Sequence, residues 1–194
     1  MTSRMTDGHS GVMSQCRPSR VTRAAHWRVF APPLAFLLLT ACVDSVVPLL
    51  GDAKPLLGER LRLQTYTLRE GSARDADTAS FRWDGTRYVG RIGRKERAAF
   101  TVHELEGRDL IVQTVPLRKD VPVEYTIARK LADGVYLTAA IDENDADEAT
   151  RAQFCIKDSG RSCRIATREA LTVFARASAA KLRDTGALAI ILAR

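Results

Sequence analysis

From residue 61 the chain alternates apolar and polar positions. Leu61, Leu63, Thr65 and Thr67 are separated by Arg62, Gln64 and Tyr66, a period of two that predicts a strand. A polar loop is expected over 69–79. Phe81 and Trp83 then lead into Asp84-Gly85, and Tyr88, Gly90 and Ile92 follow. Asp-Gly satisfies the positive φ of a type I′ turn, so this stretch predicts a hairpin. Two further hairpins share a grammar. Phe100-Thr101-Val102 runs to Leu105, Gly107 and Leu110-Ile111-Val112, and Tyr125-Thr126-Ile127 runs to Leu131, Gly134 and Val135-Tyr136-Leu137. In the second, Val123, Tyr125, Ile127 and Leu131 fall on one face, interrupted by Arg129, with Glu124, Thr126, Ala128 and Lys130 on the other. That alternation predicts an antiparallel sheet with one wet face. Pro116 and Pro122 suit strand ends.

The period changes beyond residue 142. Asp145 with Glu148 three residues on reads as a capping box. The acidic run Asp142-Glu143-Asn144-Asp145-Ala146-Asp147-Glu148 does not fit a calcium loop, because Ala146 takes an oxygen-ligand position and Asp147 the glycine position. Thr167 precedes a stripe of Leu171, Phe174, Ala175, Ser178 and Leu182, an amphipathic helix with Thr167 as N-cap and Gly186 as its stop. The apolar run from Ala187 to Ala193 is read as a buried strand. The expected class is therefore α+β: an antiparallel sheet or partly closed β-barrel of about six to eight strands with one C-terminal amphipathic helix packed on it.

The N-terminal third carries a different pattern. Val29 to Ala41 is a 13-residue stretch without charge, containing Pro32-Pro33 and preceded by Arg17, Arg20, Arg23 and Arg28. It is too short to span a bilayer, and it has the basic and hydrophobic regions of an export signal. Leu39-Thr40-Ala41-Cys42 resembles the lipobox of bacterial lipoproteins, in which small residues precede an obligatory cysteine. The resemblance covers the signal and these four residues only. It implies that Cys42 becomes the first mature residue and the site of lipid attachment, with the membrane as a partner through that anchor. In that class an Asp directly after the cysteine favours the inner membrane. Here Val43 stands there and Asp44 follows, so the implied address is the outer membrane, facing the periplasm. A signal of residues 1–41 exceeds the usual length, and a start at Met13 would restore it. The organisation read from the chain is a signal at 1–41, a tether at 42–58 rich in Pro48, Gly51, Pro55 and Gly58, and one globular periplasmic domain at 59–194.

Charge and chemistry narrow the function less. Of 30 Lys and Arg and 23 Asp and Glu, the first 42 residues hold five arginines and one acid, Asp7, which leaves the remainder at +3. No basic stripe results, so nucleic acid is not an expected partner. Cys155 and Cys163 are the remaining thiols beyond Cys42. Seven residues separate them, against two in redox motifs, and an exported domain favours a structural disulfide. A zinc site would need more ligands than His103, the sole histidine after residue 42, could add. No cofactor is expected. His103 lacks the partners of a nucleophile–base system, and Glu104 and Glu106 read as a solvated strand face. These residues indicate a non-catalytic envelope module that binds a protein, peptidoglycan or a small amphiphile. The alternative is a periplasmic hydrolase working through carboxylates.

Overall fold

A computed structural model describes residues 43–69, 72–92, 96–118, 121–156, 163–182 and 186–193. Residues 1–42, for which an export signal and lipid attachment at Cys42 are expected, lie outside the described residues. The strands are β1 (Val43–Ser45), β2 (Arg60–Arg69), β3 (Ser72–Trp83), β4 (Tyr88–Ile92), β5 (Glu96–Glu106), β6 (Asp109–Thr114), β7 (Val123–Ala132), β8 (Val135–Ala140), β9 (Cys163–Arg164) and β10 (Gly186–Ala193). A 3₁₀ turn (Glu143–Asp145) and two helices, α1 (Glu148–Phe154) and α2 (Arg168–Lys181), lie between β8 and β10.

Strands β2 to β8 form an antiparallel meander, β10 joins β8 to β2, and β6 pairs with β7, so eight strands close into a barrel. β1 and β9 sit outside the ring, β1 antiparallel to β7 and parallel to β9. Glycines reverse the chain at the lower end. Gly85, Gly107 and Gly134 have φ of 103°, 59° and 72°, in the left-handed region that disfavours side chains. At the first of these turns Asp84 accepts hydrogen bonds from the Thr86 and Arg87 amides, both 3.0 Å. These bonds, chiefly the one from the Thr86 amide, hold its carboxyl down to about 2. The upper end carries the described parts of the β6–β7 connection, 115–118 and 121–122.

The barrel has two cores, one on each side of its wall. Leu61, Ala79, Phe81, Tyr88, Ile92, Phe100 and Val102 converge inside. Ile111, Val123, Tyr125 and Ile127 face outward, beneath α2, whose Leu171, Phe174 and Ala175 are fully buried against them. Thr167 caps α2 by accepting from the Ala170 amide at 3.2 Å. Arg129, which interrupts the apolar face of β7, grips Asp109 through two bonds of 2.7 and 2.8 Å and donates to the Ala179 carbonyl at 2.9 Å. It thereby ties the last turn of the helix to the barrel wall, sharing the Ala179 carbonyl with the Leu182 amide at 3.3 Å.

Four local expectations are corrected. The stretch 43–58 is not a free tether, because Val43–Ser45 is a buried strand and Leu50 is in the outer core. In the stretch 69–79, expected as a loop, Arg69 ends β2 and residues 72–79 belong to β3, held in register by β2 despite lacking apolar alternation. The N-cap of α1 is Asp147, which accepts from the Thr150 amide at 2.7 Å, because Asp145 is taken up in the preceding 3₁₀ turn. Gly186 does not stop α2, which ends at Lys181 with Leu182 as its C-cap; it opens β10.

Cys155 and Cys163 are disulfide-bonded, with Cα atoms 4.9 Å apart. Cys163 is buried beside Val43, its register partner, so the bridge ties the end of α1 to the strand that pairs with β1. Replacing both cysteines by alanine is expected to lower stability by about 2–3 kcal/mol, the loop-closure value for so short a loop. Urea unfolding of the oxidised and reduced protein checks it.

Candidate functional site

Strand register decides which side chains enter the barrel. Tyr88 is opposite Phe100, Phe81 opposite Leu61, and Val112 opposite both Val102 and Thr126. All these positions look inward, together with Leu63, Ala98, Leu110 and Ile191. The lower half of the lumen is filled. Phe81 and Phe100 meet edge to face at 4.9 Å, Tyr88 stacks on Phe100 at 5.0 Å, and Trp83 meets Tyr88 edge to face at 5.1 Å. Leu57 packs into this cluster from below, and its amide donates to the Tyr88 hydroxyl at 3.0 Å. Burial raises that hydroxyl above its ordinary value.

Two positions further up each strand the lining changes. Leu63 gives way to Thr65, Phe81 to Ala79, Tyr88 to Gly90, Phe100 to Ala98, Val112 to Thr114, Ala128 to Thr126 and Tyr136 to Thr138. Seven of the eight barrel strands thus present nothing larger than threonine at this level. An eight-stranded barrel is just wide enough for ordinary side chains to fill, or for one small ligand when they do not. Thr65, Ala98, Thr114, Thr126 and Thr138 are half-buried rather than sealed. Side-chain size thus falls from an aromatic and aliphatic floor to a wall of methyl and hydroxyl groups, with buried Ile92 above Gly90 on β4, and this upper part of the lumen is here called the cup.

A carboxyl group stands at the rim. Glu124 follows Thr126 upward on β7, and its backbone is held by Thr114, whose Oγ1 accepts from the Glu124 amide at 2.8 Å and donates to its carbonyl at 3.2 Å. Burial pushes the Glu124 carboxyl above its ordinary value, and the charge of Asp44, its register partner on β1, adds to the rise. Asp44 accepts from Arg164 Nε at 3.1 Å. Between the ordinary glutamate range and its raised value, native Glu124 keeps a proton that the unfolded chain has lost. Stability therefore falls as pH rises through that window and is level above it. Glu124→Gln should remove this slope, which for one proton is at most about 1.4 kcal/mol per pH unit, and should make the protein more stable than wild type at neutral pH. Urea midpoints across the window test this.

The residues singled out from sequence are dispersed. His103 is on the outer wall, its Nε2 2.9 Å from Thr101 Oγ1. Burial, and then the charge of Arg168, lower its pKa and favour the neutral ring. Gln113 donates to the same Thr101 hydroxyl at 3.2 Å, and its Oε1 accepts from the Leu49 and Leu50 amides at 3.0 Å. This chain of bonds pins 49–50 to the outer face of β6, on the side of the wall away from the cup. Glu104 and Glu106 are exposed at a bulge, with Glu106 3.4 Å from Arg176. Glu143, Cys155 and Cys163 are close enough together to suggest a metal site, but the disulfide removes the two thiolates such a site would need. The cup residues were missed as a site. Their signal was present in β7, where Glu124, Thr126 and Ala128 formed the wet face, but nothing local marked that face as concave. No family model, no curated protein and no solved structure matches the chain.

Proposed function

We propose that this protein is a non-catalytic envelope lipoprotein, anchored through Cys42 and facing the periplasm from the outer membrane, whose barrel takes a small amphiphile into its cup. The observation that carries the reading is the change in lining from Phe81, Tyr88 and Phe100 to Ala79, Gly90 and Ala98. Such a lumen offers an apolar base to a hydrocarbon or aromatic group. It offers the Thr126 hydroxyl and the Glu124 carboxyl to a polar head. Ligand sites of this kind are mostly apolar with a few placed polar groups.

The test is titration with a neutral fluorescent naphthylamine. Saturable binding with one site per chain is expected, and Thr126→Phe, which fills the cup, should weaken it at least about tenfold without lowering the melting temperature. Absence of binding by the wild-type chain, or equal binding by the variant, would reject the reading. For the anchor, Cys42→Ser is expected to move the protein from the membrane to the soluble fraction, and unchanged membrane association would count against acylation. A carboxylate hydrolase is the second reading, favoured by the Glu124 and Asp44 pairing at the rim. It requires turnover that Glu124→Gln abolishes while probe binding persists.

A further inference from the structure

The attachment point has little slack. Cys42 directly precedes Val43, which is fully buried in β1. β1 is fixed on two sides, by β7 and β9, and by the Asp44–Arg164 pair. A lipid on Cys42 would therefore be joined to the folded body by about one peptide unit, and the point of attachment would set which way the barrel faces. β1 lies beside the first residues of β7, with Asp44 opposite Glu124 and Ser45 opposite Val123. That is the upper end, at the rim of the cup. The lower turns are the length of β7 away, roughly 30 Å at a strand's rise per residue.

The same end exposes apolar side chains. Val46 is 70% exposed, Val47 58%, Leu117 52% and Val121 42%, four of the seven large exposed hydrophobic residues among those described. They belong to the two segments that leave the upper end: Val46 and Val47 follow β1, whose Ser45 is opposite Val123, and Leu117 and Val121 lie in the connection between β6 and β7. Val46 and Val47 are held there. The Ser45 hydroxyl, 2.6 Å from the Tyr125 hydroxyl, donates to the Val47 carbonyl at 2.6 Å. A chain that closes this turn with a buried hydroxyl and keeps two valines outward presents them to something.

We infer that the upper end of the barrel lies against the lipid bilayer, with Val46, Val47, Leu117 and Val121 seated at the headgroup–acyl boundary and the cup opening toward the membrane. The inference rests on the proposed acylation of Cys42, since that is what makes the bilayer, rather than a second copy or a protein, the surface that meets this patch. It also deepens the proposed function. An amphiphile would pass between bilayer and lumen without crossing bulk water, and Glu124 at the rim would meet its polar head at headgroup height.

The test uses the full chain, matured in a diderm host and reconstituted into phosphatidylethanolamine–phosphatidylglycerol vesicles containing nitroxide-labelled lipid. The mass of the N-terminal peptide first reports whether Cys42 carries acyl chains. A polarity-sensitive fluorophore is then placed at Val47→Cys or Val121→Cys, and, for the lower end, at Thr86→Cys or Leu131→Cys. Quenching of about twofold or more at 47 and 121, with 86 and 131 unaffected, is the expected result. An acylated Cys42 with 47 and 121 unquenched, or with the lower-end labels quenched as strongly, would overturn the orientation and leave the anchor standing. An unmodified Cys42 would overturn the anchor and the orientation with it.

Discussion

Phe174→Ala is expected to lower folding stability by about 3–5 kcal/mol, the range for deleting a large aromatic from a packed core. Phe174 is fully buried in α2, in the cluster that contains Tyr125, Ile127 and Leu171. Its ring fills the space between the helix and the outer wall, where the strand backbones prevent easy collapse, so the cost belongs at the upper part of the range. The loss would be a large share of an ordinary domain's total stability. Urea unfolding followed by tryptophan emission gives the magnitude, and amide exchange gives the place. α2 and the outer face of β7 should lose protection before β3 and β4 do. A cost below about 1 kcal/mol would mean that α2 contributes little to the fold.

Gly90→Ala should be almost as damaging, for the opposite reason. A Cβ at Gly90 would fall on the Ser80 carbonyl oxygen and within 2.8 Å of Phe81 Cα. Both are backbone atoms of the neighbouring strand and cannot swing aside. Either β3 and β4 separate or Phe81 is driven upward into the cup. Overpacking of this kind costs typically 1–3 kcal/mol, and here about 3 or more is expected because the obstacle is main chain. Near-ultraviolet circular dichroism should change as well, since Phe81, Phe100, Tyr88 and Trp83 are in successive ring contact. Gly51→Ala is the control: a methyl there meets nothing within 4 Å, and its effect should stay within about 0.5 kcal/mol.

The legible parts were those decided over a few residues. Asp84-Gly85, Gly107 and Gly134 marked the lower turns because only a left-handed residue closes them cheaply. Thr167 and the Leu171–Phe174–Ala175–Ser178 stripe defined α2, because capping and a period of 3.6 are properties of the helix itself. β3 was hidden. Ser72 to Asp77 have no apolar alternation, and their strand is held by pairing with β2 rather than by their own pattern. The segment 43–50 was hidden too, since Gln113, more than sixty residues away, is what holds Leu49 and Leu50.

Alternation along β7 divided Val123, Tyr125 and Ile127 from Glu124, Thr126 and Ala128, and by itself it established that an antiparallel sheet with two unlike faces would form. Ordinary expectation would turn the apolar face inward. Closure of β6 on β7, and of β10 on β2 after the helix, put the apolar face outside and covered it with α2, leaving the threonines and Glu124 to line the lumen. A period of two separates the sides of a strand but carries no sign of curvature. That sign came from pairings between residues more than a hundred positions apart, and from a helix whose buried stripe needed an apolar wall.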